Sequence, residues 1–236
     1  MDNIPKSLFL LAQIFKNNNQ NIYIVGGFVR DYLANILNYD IDLCSPLTLE
    51  ELKNLLINTG FEVKVNNKQF GTGKILYKNE VFEYSTFRTD FYPENGKHSP
   101  KKVEFTNDIL IDAKRRDFTI NAIYVDLTTN KFRDVFDGMI DIKNRLIKTV
   151  LTPDETLSRD GERLLRMAKL KAKLGFKIEN KTFISAEKYS NNLQDLSNKT
   201  IEKFLKNIDS FSMHQKQEIK NILIELNAKN IAEKII

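Results

Sequence analysis

Along the first two thirds of the chain the apolar positions follow two rhythms. In residues 5–15 (PKSLFLLAQIF) the Leu, Ile and Phe positions recur at helical spacing behind a proline, which predicts an amphipathic helix opened by Pro5. Short apolar runs then predict strands at 22–25 and 40–44, with a helix between them from Gly27 to about Leu37. Thr48 and Glu51 have capping-box spacing and open a helix that Gly60 closes. Strands are expected at 61–65, 73–77 and 81–87; in the last, Phe82 and Tyr84 face one side and Glu83 and Ser85 the other. The polar stretch 89–102, with Pro93, Gly96 and Pro100, reads as a loop. A strand at 103–105, a short helix at 109–115 and an apolar strand at 119–126 follow. After Asp137-Gly138 helical character grows, and beyond Asp154 no convincing strand is visible. The expected organisation is a mixed α/β head at 1–145 and an all-helical region at 146–236.

Composition narrows the function classes. A chain of 236 residues can bury a real core in one large or two small domains. Its net charge of +5 fits a polyanionic partner, although lysine-rich surfaces also serve solubility. The single cysteine, Cys44, excludes an internal disulfide and cysteine-rich zinc sites, and its apolar strand makes it core. No apolar run reaches membrane-spanning length and the N-terminus carries no signal-peptide pattern, so a soluble, cytoplasmic protein with no membrane partner is expected.

The richest stretch is 23–44, YIVGGFVRDYLANILNYDIDLC. On a strand, Asp40 and Asp42 point the same way while Ile41 turns into the core. Two carboxylates on one face suit hard divalent cations such as magnesium. Gly26-Gly27 lets backbone approach a phosphate closely, and the helix that follows offers unpaired N–H groups to an anion. Carboxylates for metal beside a phosphate cradle point to chemistry on a nucleoside triphosphate. Taken singly, a Gly-Gly turn or an exposed Asp-x-Asp is more often structural.

The Gly26-Gly27-x-Val29-Arg30-Asp31 segment followed by Asp40-x-Asp42 resembles the signature of the tRNA nucleotidyltransferases (CCA-adding enzymes) and of the bacterial poly(A) polymerases related to them. The resemblance implies an α+β protein: a mixed-sheet head of the polymerase-β-type nucleotidyltransferase fold, then an all-helical neck, with body and tail reduced or absent. It implies a template-independent enzyme that adds C and A to the 3′ end of tRNA from CTP and ATP, releasing pyrophosphate. Asp40 and Asp42 would hold Mg2+ in a two-metal site, and Gly26, Gly27 and Arg30 would bind triphosphate and sugar.

Three further segments extend the resemblance. KRRDFTINA at 114–122 is similar to the family's Arg-Arg-Asp-Phe-Thr-x-Asn-Ala. A basic pair at a helix end can simply complement the helix dipole, but arginines at a sheet end can also clamp triphosphate oxygens. The family pattern makes Arg116 a nucleotide-binding residue and Asp117 part of the same site. Glu83 is the expected third carboxylate, since sites of this type commonly use one on a neighbouring strand. KHSPKKVEF at 97–105 resembles the basic-Pro-x-x-Val-x-Phe segment, and the loop before it falls where the family's mobile loop lies, which points to complete CCA addition.

The last segment is RDGERLLRMAKLKAKLGFKIE at 159–179. Leu164, Leu165, Ala168 and Ala172 make an apolar stripe, while Asp160, Arg163, Arg166 and Lys169 recur every three residues. That row is either a solvated helix face or a reading device. It resembles the family's base-selecting Glu-Asp-x-x-Arg motif, with Arg159 standing where the family has Glu and Lys169 where Arg is frequent. A carboxylate accepting from an exocyclic amine beside a guanidinium donating to a ring acceptor matches cytosine and adenine and rejects uracil and guanine. A poly(A) polymerase, a CC-only or A-only adding enzyme, and a catalytically idle RNA-binding protein of the same fold remain alternatives.

Overall fold

The structure, a computed structural model, describes residues 4–93 and 100–236. Lys97, His98 and Ser99 of the basic-Pro segment, and Gly96 of the expected loop, lie outside the described residues. The chain forms two compact units. The first comprises Met1–Asp90, Val103–Arg116 and Ile120–Met139; the second comprises Phe91–Lys102, Asp117–Thr119 and Ile140–Ile236.

The first unit is built on a seven-stranded sheet. Its helices are α1 (Lys6–Asn17), α2 (Gly27–Leu33), α3 (Leu49–Leu55) and α4 (Ile109–Lys114). Its sheet strands are β1 (Tyr23–Val25), β2 (Asp42–Ser45), β3 (Glu62–Asn67), β4 (Thr72–Tyr77) and β5 (Glu80–Thr86), followed, after β6 (Arg88–Phe91) and β7 (Lys102–Phe105) have paired as a separate ribbon, by β8 (Ile123–Asp126) and β9 (Lys131–Asp134). The order is β3-β4-β5-β2-β1-β8-β9. Only the β2–β5 pairing in this sheet is parallel, which makes the sheet mixed as expected.

Local sequence explains several of these elements. The Thr48–Glu51 capping box forms and starts α3. Leu8, Leu11, Ala12 and Phe15 are the buried stripe of α1, and each Leu or Phe side chain removed from water contributes about 1.5–3 kcal/mol. Val25, Cys44, Phe87, Ala113 and Tyr124 form a buried cluster with Tyr23 packed against it. Cys44 is fully buried, and burial pushes its thiol pKa up, as a core residue's should be.

Several expectations need correction. The helix opened by Thr48 ends at Leu55, five residues before Gly60, so Gly60 does not close it. The stretch 89–102 expected as a loop begins inside β6 (Arg88–Phe91) and ends on the first residue of β7, Lys102. The helix after the glycines ends at Leu33, not near Leu37. The strand expected at 40–44 begins at Asp42, because Val25↔Asp42 is the last rung with β1 and Gly26 (φ 79°) then turns β1's chain away. The strand expected at 119–126 starts as a 3-10 turn, Thr119–Asn121, and extends only from Ile123.

The second unit is mainly helical: α5 (Gly138–Lys143, starting at the unit boundary), α6 (Pro153–Leu157), α7 (Glu162–Leu174), α8 (Asn180–Lys188), α9 (Asn198–Asn207), α10 (Met213–Glu225) and α11 (Lys229–Ala232). It also contains a parallel pair, β10 (Leu146–Ile147) with β11 (Lys177–Ile178), so the expectation of no strand after Asp154 fails by two residues. Gly175 ends α7 in the left-handed conformation (φ 63°). Buried Leu164, Leu165, Ala168 and Ala172 of α7 are the apolar stripe read from sequence, and α10, whose Ile219, Ile222 and Leu223 are buried, packs against this helix. Among the described residues no helix is long and apolar enough to cross a membrane.

Candidate active site

In the first unit the site is assembled at the ends of β1 and β2. Gly26 terminates β1, and a Cβ added there would lie 3.4 Å from Asp42 Oδ2, so the glycine backbone runs along the carboxylate. Asp42 stands opposite Glu83 of β5 in the parallel register. Burial, then the charge of Asp40, pushes the Asp42 carboxyl pKa up to about 6; Arg116 works against the shift and Glu83 adds to it. Asp40 is therefore close enough to be felt, although it is exposed and precedes the strand. Ile41 between them is buried, as the alternation required.

Glu83 is half-exposed and paired with Lys74 Nζ at 2.8 Å. Among the described residues no group of three or more His, Cys, Asp or Glu side chains is gathered to hold a metal ion. The donor chemistry of Asp40 and Asp42 nevertheless fits a divalent cation: two oxygen ligands repel each other, one with its acidity suppressed, and a cation relieves both effects.

Arg116 lies at the C-terminal end of α4. Its Nε donates to Tyr124 Oη at 2.9 Å, its Nη2 to Asp112 Oδ2 at 3.1 Å, and its guanidinium sits 5.0 Å from the Tyr124 ring centre. Burial disfavours its charge, but Tyr124 and Asp112 outweigh that and raise its pKa. Asp112 is fully buried; burial alone would raise its pKa, yet the charges of Arg115 and Arg116 and the Tyr124 hydroxyl hold it down at about 2. Arg116 thus remains a fixed cation, 15% exposed at its side chain, whose field reaches Asp42.

Arg30 is placed differently from a ligand-facing arginine. It is 6% exposed. Its Nε donates to Asp31 Oδ1 at 2.8 Å and its Nη1 to Asn121 Oδ1 at 2.7 Å, while Nη2 lies 2.6 Å from Asp31 Oδ1. Asp31 Oδ2 accepts from Asn38 Nδ2 at 2.7 Å. A Cβ on Gly27 would approach the Arg30 Nη2 at 3.5 Å and the Asn38 amide at 3.6 Å. Gly27 therefore gives room to this internal network as well as opening α2.

In the second unit, Asp117, Asp160, Arg163 and Arg166 come together. Arg166 Nε donates to Asp117 Oδ2 at 2.8 Å and its Nη2 to Asp160 Oδ2 at 3.3 Å, with Glu162 at 3.7 Å from Nη1. Burial opposes the Arg166 charge, but Asp117, Asp160 and Glu162 together raise its pKa. Asp160 and Arg163 are each 5% exposed, and Arg163 Nε is 3.8 Å from Asp160 Oδ2. Arg163 also donates from Nη1 to the Thr156 carbonyl at 3.1 Å and from Nη2 to Tyr92 Oη at 3.3 Å. The first two members of the row are therefore buried, while the Arg166 side chain is 41% exposed and Lys169 half-buried. Asp160 precedes α7 rather than lying in it, and its Oδ1 accepts from the Glu162 N–H at 2.8 Å. Lys169, one turn beyond Arg166, lines a cavity with Thr200, Lys203 and Asn207 of α9.

Sequence reasoning missed Asp112, Tyr124, Asn121, Asn38 and Tyr92. Asp112 was findable, since it precedes Arg115 and Arg116 by three and four residues on α4. Asn38 carries the local signal of a side chain bonding two residues on. Tyr124, Asn121 and Tyr92 reach their partners only through the tertiary fold.

Residues 22–148 match the family model described as the poly A polymerase head domain. The CCA-adding enzyme of Staphylococcus saprophyticus is 35% identical over 183 residues, which is 78% of this chain and 44% of that enzyme. The crystal structure of the Bacillus stearothermophilus CCA-adding enzyme in complex with CTP shares the fold with a TM-score of 0.80 at 24% identity, over 96% of this chain and 53% of that one. The Thermotoga maritima CCA-adding enzyme complexed with tRNA(CCA) gives a TM-score of 0.76 at 22% identity, over 96% and 52%. The chain thus spans about half the length of these proteins or less. The head-domain match takes in more than half of the 236 residues, and the chain belongs to the poly A polymerase head domain family.

Proposed function

We propose that this chain is a magnesium-dependent RNA nucleotidyltransferase that adds C and A to the 3′ end of tRNA from CTP and ATP, releasing pyrophosphate. The observation that carries the reading is the burial of Asp160 and Arg163, opposite charges held side by side at the start of α7. Buried charges are expensive unless they are paired, and a pair with one acceptor and one donor matches the Watson–Crick edges shared by cytosine and adenine. Named relatives of the chain are CCA-adding enzymes, and one neighbouring structure holds CTP and another tRNA.

Asp40 and Asp42 are the residues that would hold Mg2+, which when bound would supply Lewis-acid charge at the attacking 3′-hydroxyl and the leaving pyrophosphate. The backbone at Gly26-Gly27 accommodates triphosphate, and Arg116, kept cationic by Asp112 and Tyr124, stabilises charge that develops on it. Arg30 serves the same site from behind by fixing α2 through Asp31 and Asn121. Asp160 accepts from the base's exocyclic amine and Arg163 donates to the neighbouring ring nitrogen. Arg166, braced on Asp117, keeps Asp160 in place, with Lys169 adding positive charge on the same helix. Glu83, beside Asp42 in register, is the group available to assist at the metal or the hydroxyl.

The test is incubation with tRNA ending at the discriminator base, giving each nucleotide alone and then all four, and sequencing the product ends. The reading requires CC from CTP alone and CCA from CTP with ATP. A long A tract would assign a poly(A) polymerase, addition of only CC or only A a partial enzyme, and no incorporation an idle fold.

A further inference from the structure

Asp40 lies outside the sheet ladder, so hydrogen bonding with neighbouring strands does not set where its carboxylate stands. What fixes its backbone is Asn38. The Asn38 Oδ1 accepts from the Asp40 N–H at 2.9 Å, and its Nδ2 donates to Asp31 Oδ2 at 2.7 Å. Asp31 is fully buried and tied to Arg30, which is in turn tied to Asn121 just ahead of β8. The amide thus spans an exposed segment and a buried ion pair. On the N-terminal side little else holds that segment, since Leu37 is 77% and Tyr39 80% exposed, whereas Ile41 on the other side of Asp40 is buried.

We propose that Asn38 is a positioning residue for metal binding, transmitting the rigidity of the buried Arg30–Asp31 pair to the Asp40 carboxylate. This inference rests on the reading of Asp40 and Asp42 as metal ligands. Both faces of the side-chain amide are needed, one as acceptor and one as donor. Without them the segment carrying Asp40 keeps its sequence but loses its anchor, and two carboxylates that repel each other drift apart until a cation is too weakly held. Aspartate is nearly isosteric but sets a second carboxylate against Asp31 at hydrogen-bond distance, so it cannot substitute.

The experiment measures Mn2+ binding by electron paramagnetic resonance in the presence of a non-hydrolysable CTP analogue, alongside nucleotide incorporation as a function of Mg2+, in the wild type, Asn38→Ala and Asn38→Asp. Loss of the two hydrogen bonds should weaken Mn2+ binding by roughly ten- to a hundredfold and raise the Mg2+ midpoint similarly. Saturating metal should restore most of kcat, which a merely structural defect would not allow. Asn38→Asp, which keeps the acceptor, should resemble Asn38→Ala; it carries the test if the alanine variant does not fold. Metal titrations that superimpose on an active wild type would overturn the positioning role alone. A wild type that neither binds Mn2+ nor transfers nucleotides would overturn this role together with the functional reading.

Discussion

Arg166 Nε donates to Asp117 Oδ2 at 2.8 Å, joining the aspartate of the KRRDFTINA segment to the helix whose start is the proposed base-reading site. The same guanidinium reaches Asp160, so one arginine braces two carboxylates that would otherwise repel. Arg166→Ala should therefore lower kcat/KM for CTP and ATP together by about ten- to a hundredfold, since the loss falls on the orientation of Asp160. Arg166→Lys should recover only part of it, because a point charge cannot bridge both partners. Steady-state kinetics with each nucleotide decide this; a change confined to one nucleotide contradicts it.

The Arg30–Asp31 pair gives a prediction about stability. Removing one member of a buried ion pair strands the other, at a cost of about 3–5 kcal/mol. Arg30→Met should show that loss in urea unfolding at neutral pH. A variant that unfolded like the wild type but bound CTP poorly would make Arg30 a ligand residue instead of an internal tie.

Asp112 supplies the pH dependence. Its carboxyl is held down at about 2 in the folded protein, chiefly by Arg115 and Arg116 acting against burial. A depressed carboxylate contributes stability that is present above its unfolded pKa of roughly 4 and is lost as pH falls toward the folded value. The contribution is about 2 kcal/mol. Asp112→Asn should destabilise the protein at pH 7, and the gap from the wild type should narrow between about pH 4 and pH 2. Stability curves that stay parallel across that window contradict the assignment.

Asp42 behaves in the opposite sense. Its carboxyl pKa is raised to about 6, so the ionised group sits in the fold at a cost. Asp42→Asn should abolish nucleotide addition by several orders of magnitude. In metal-free buffer at pH 7 it should also leave stability unchanged or raise it by about 1–3 kcal/mol. Near-normal incorporation by this variant would remove Asp42 from the chemistry.

Most of the sheet was legible because its strands carry buried apolar residues between turn signals: Tyr23–Val25, Thr72–Tyr77 and Glu80–Thr86 each fall within a residue or two of expectation. Lys131–Asp134 was not, since this edge strand is polar and mostly exposed and carries no period-2 signal. Within the site, Asp40 and Asp42 were found by type, but the displacement of Asp40 from the strand depends on where β1 ends. Arg30 was read as nucleotide-binding from its signature, and its tie to Asn121 was not legible because that acceptor lies 91 residues away. The polar row on α7 looked like a solvated face by spacing; only the fold shows that Asp160 and Arg163 are buried.

In the proposed mechanism Asp160 and Arg163 select the base. The most direct measurement is kcat/KM for CTP, ATP, UTP and GTP on tRNA lacking its CCA end, in the wild type and in Asp160→Ala. A mispaired buried contact costs about 1–3 kcal/mol, so the wild type should prefer CTP and ATP over UTP and GTP by roughly ten- to a hundredfold per contact. Asp160→Ala should collapse that preference while the Mg2+ dependence stays as in the wild type. Ratios that are unchanged by the substitution would remove Asp160 from base selection.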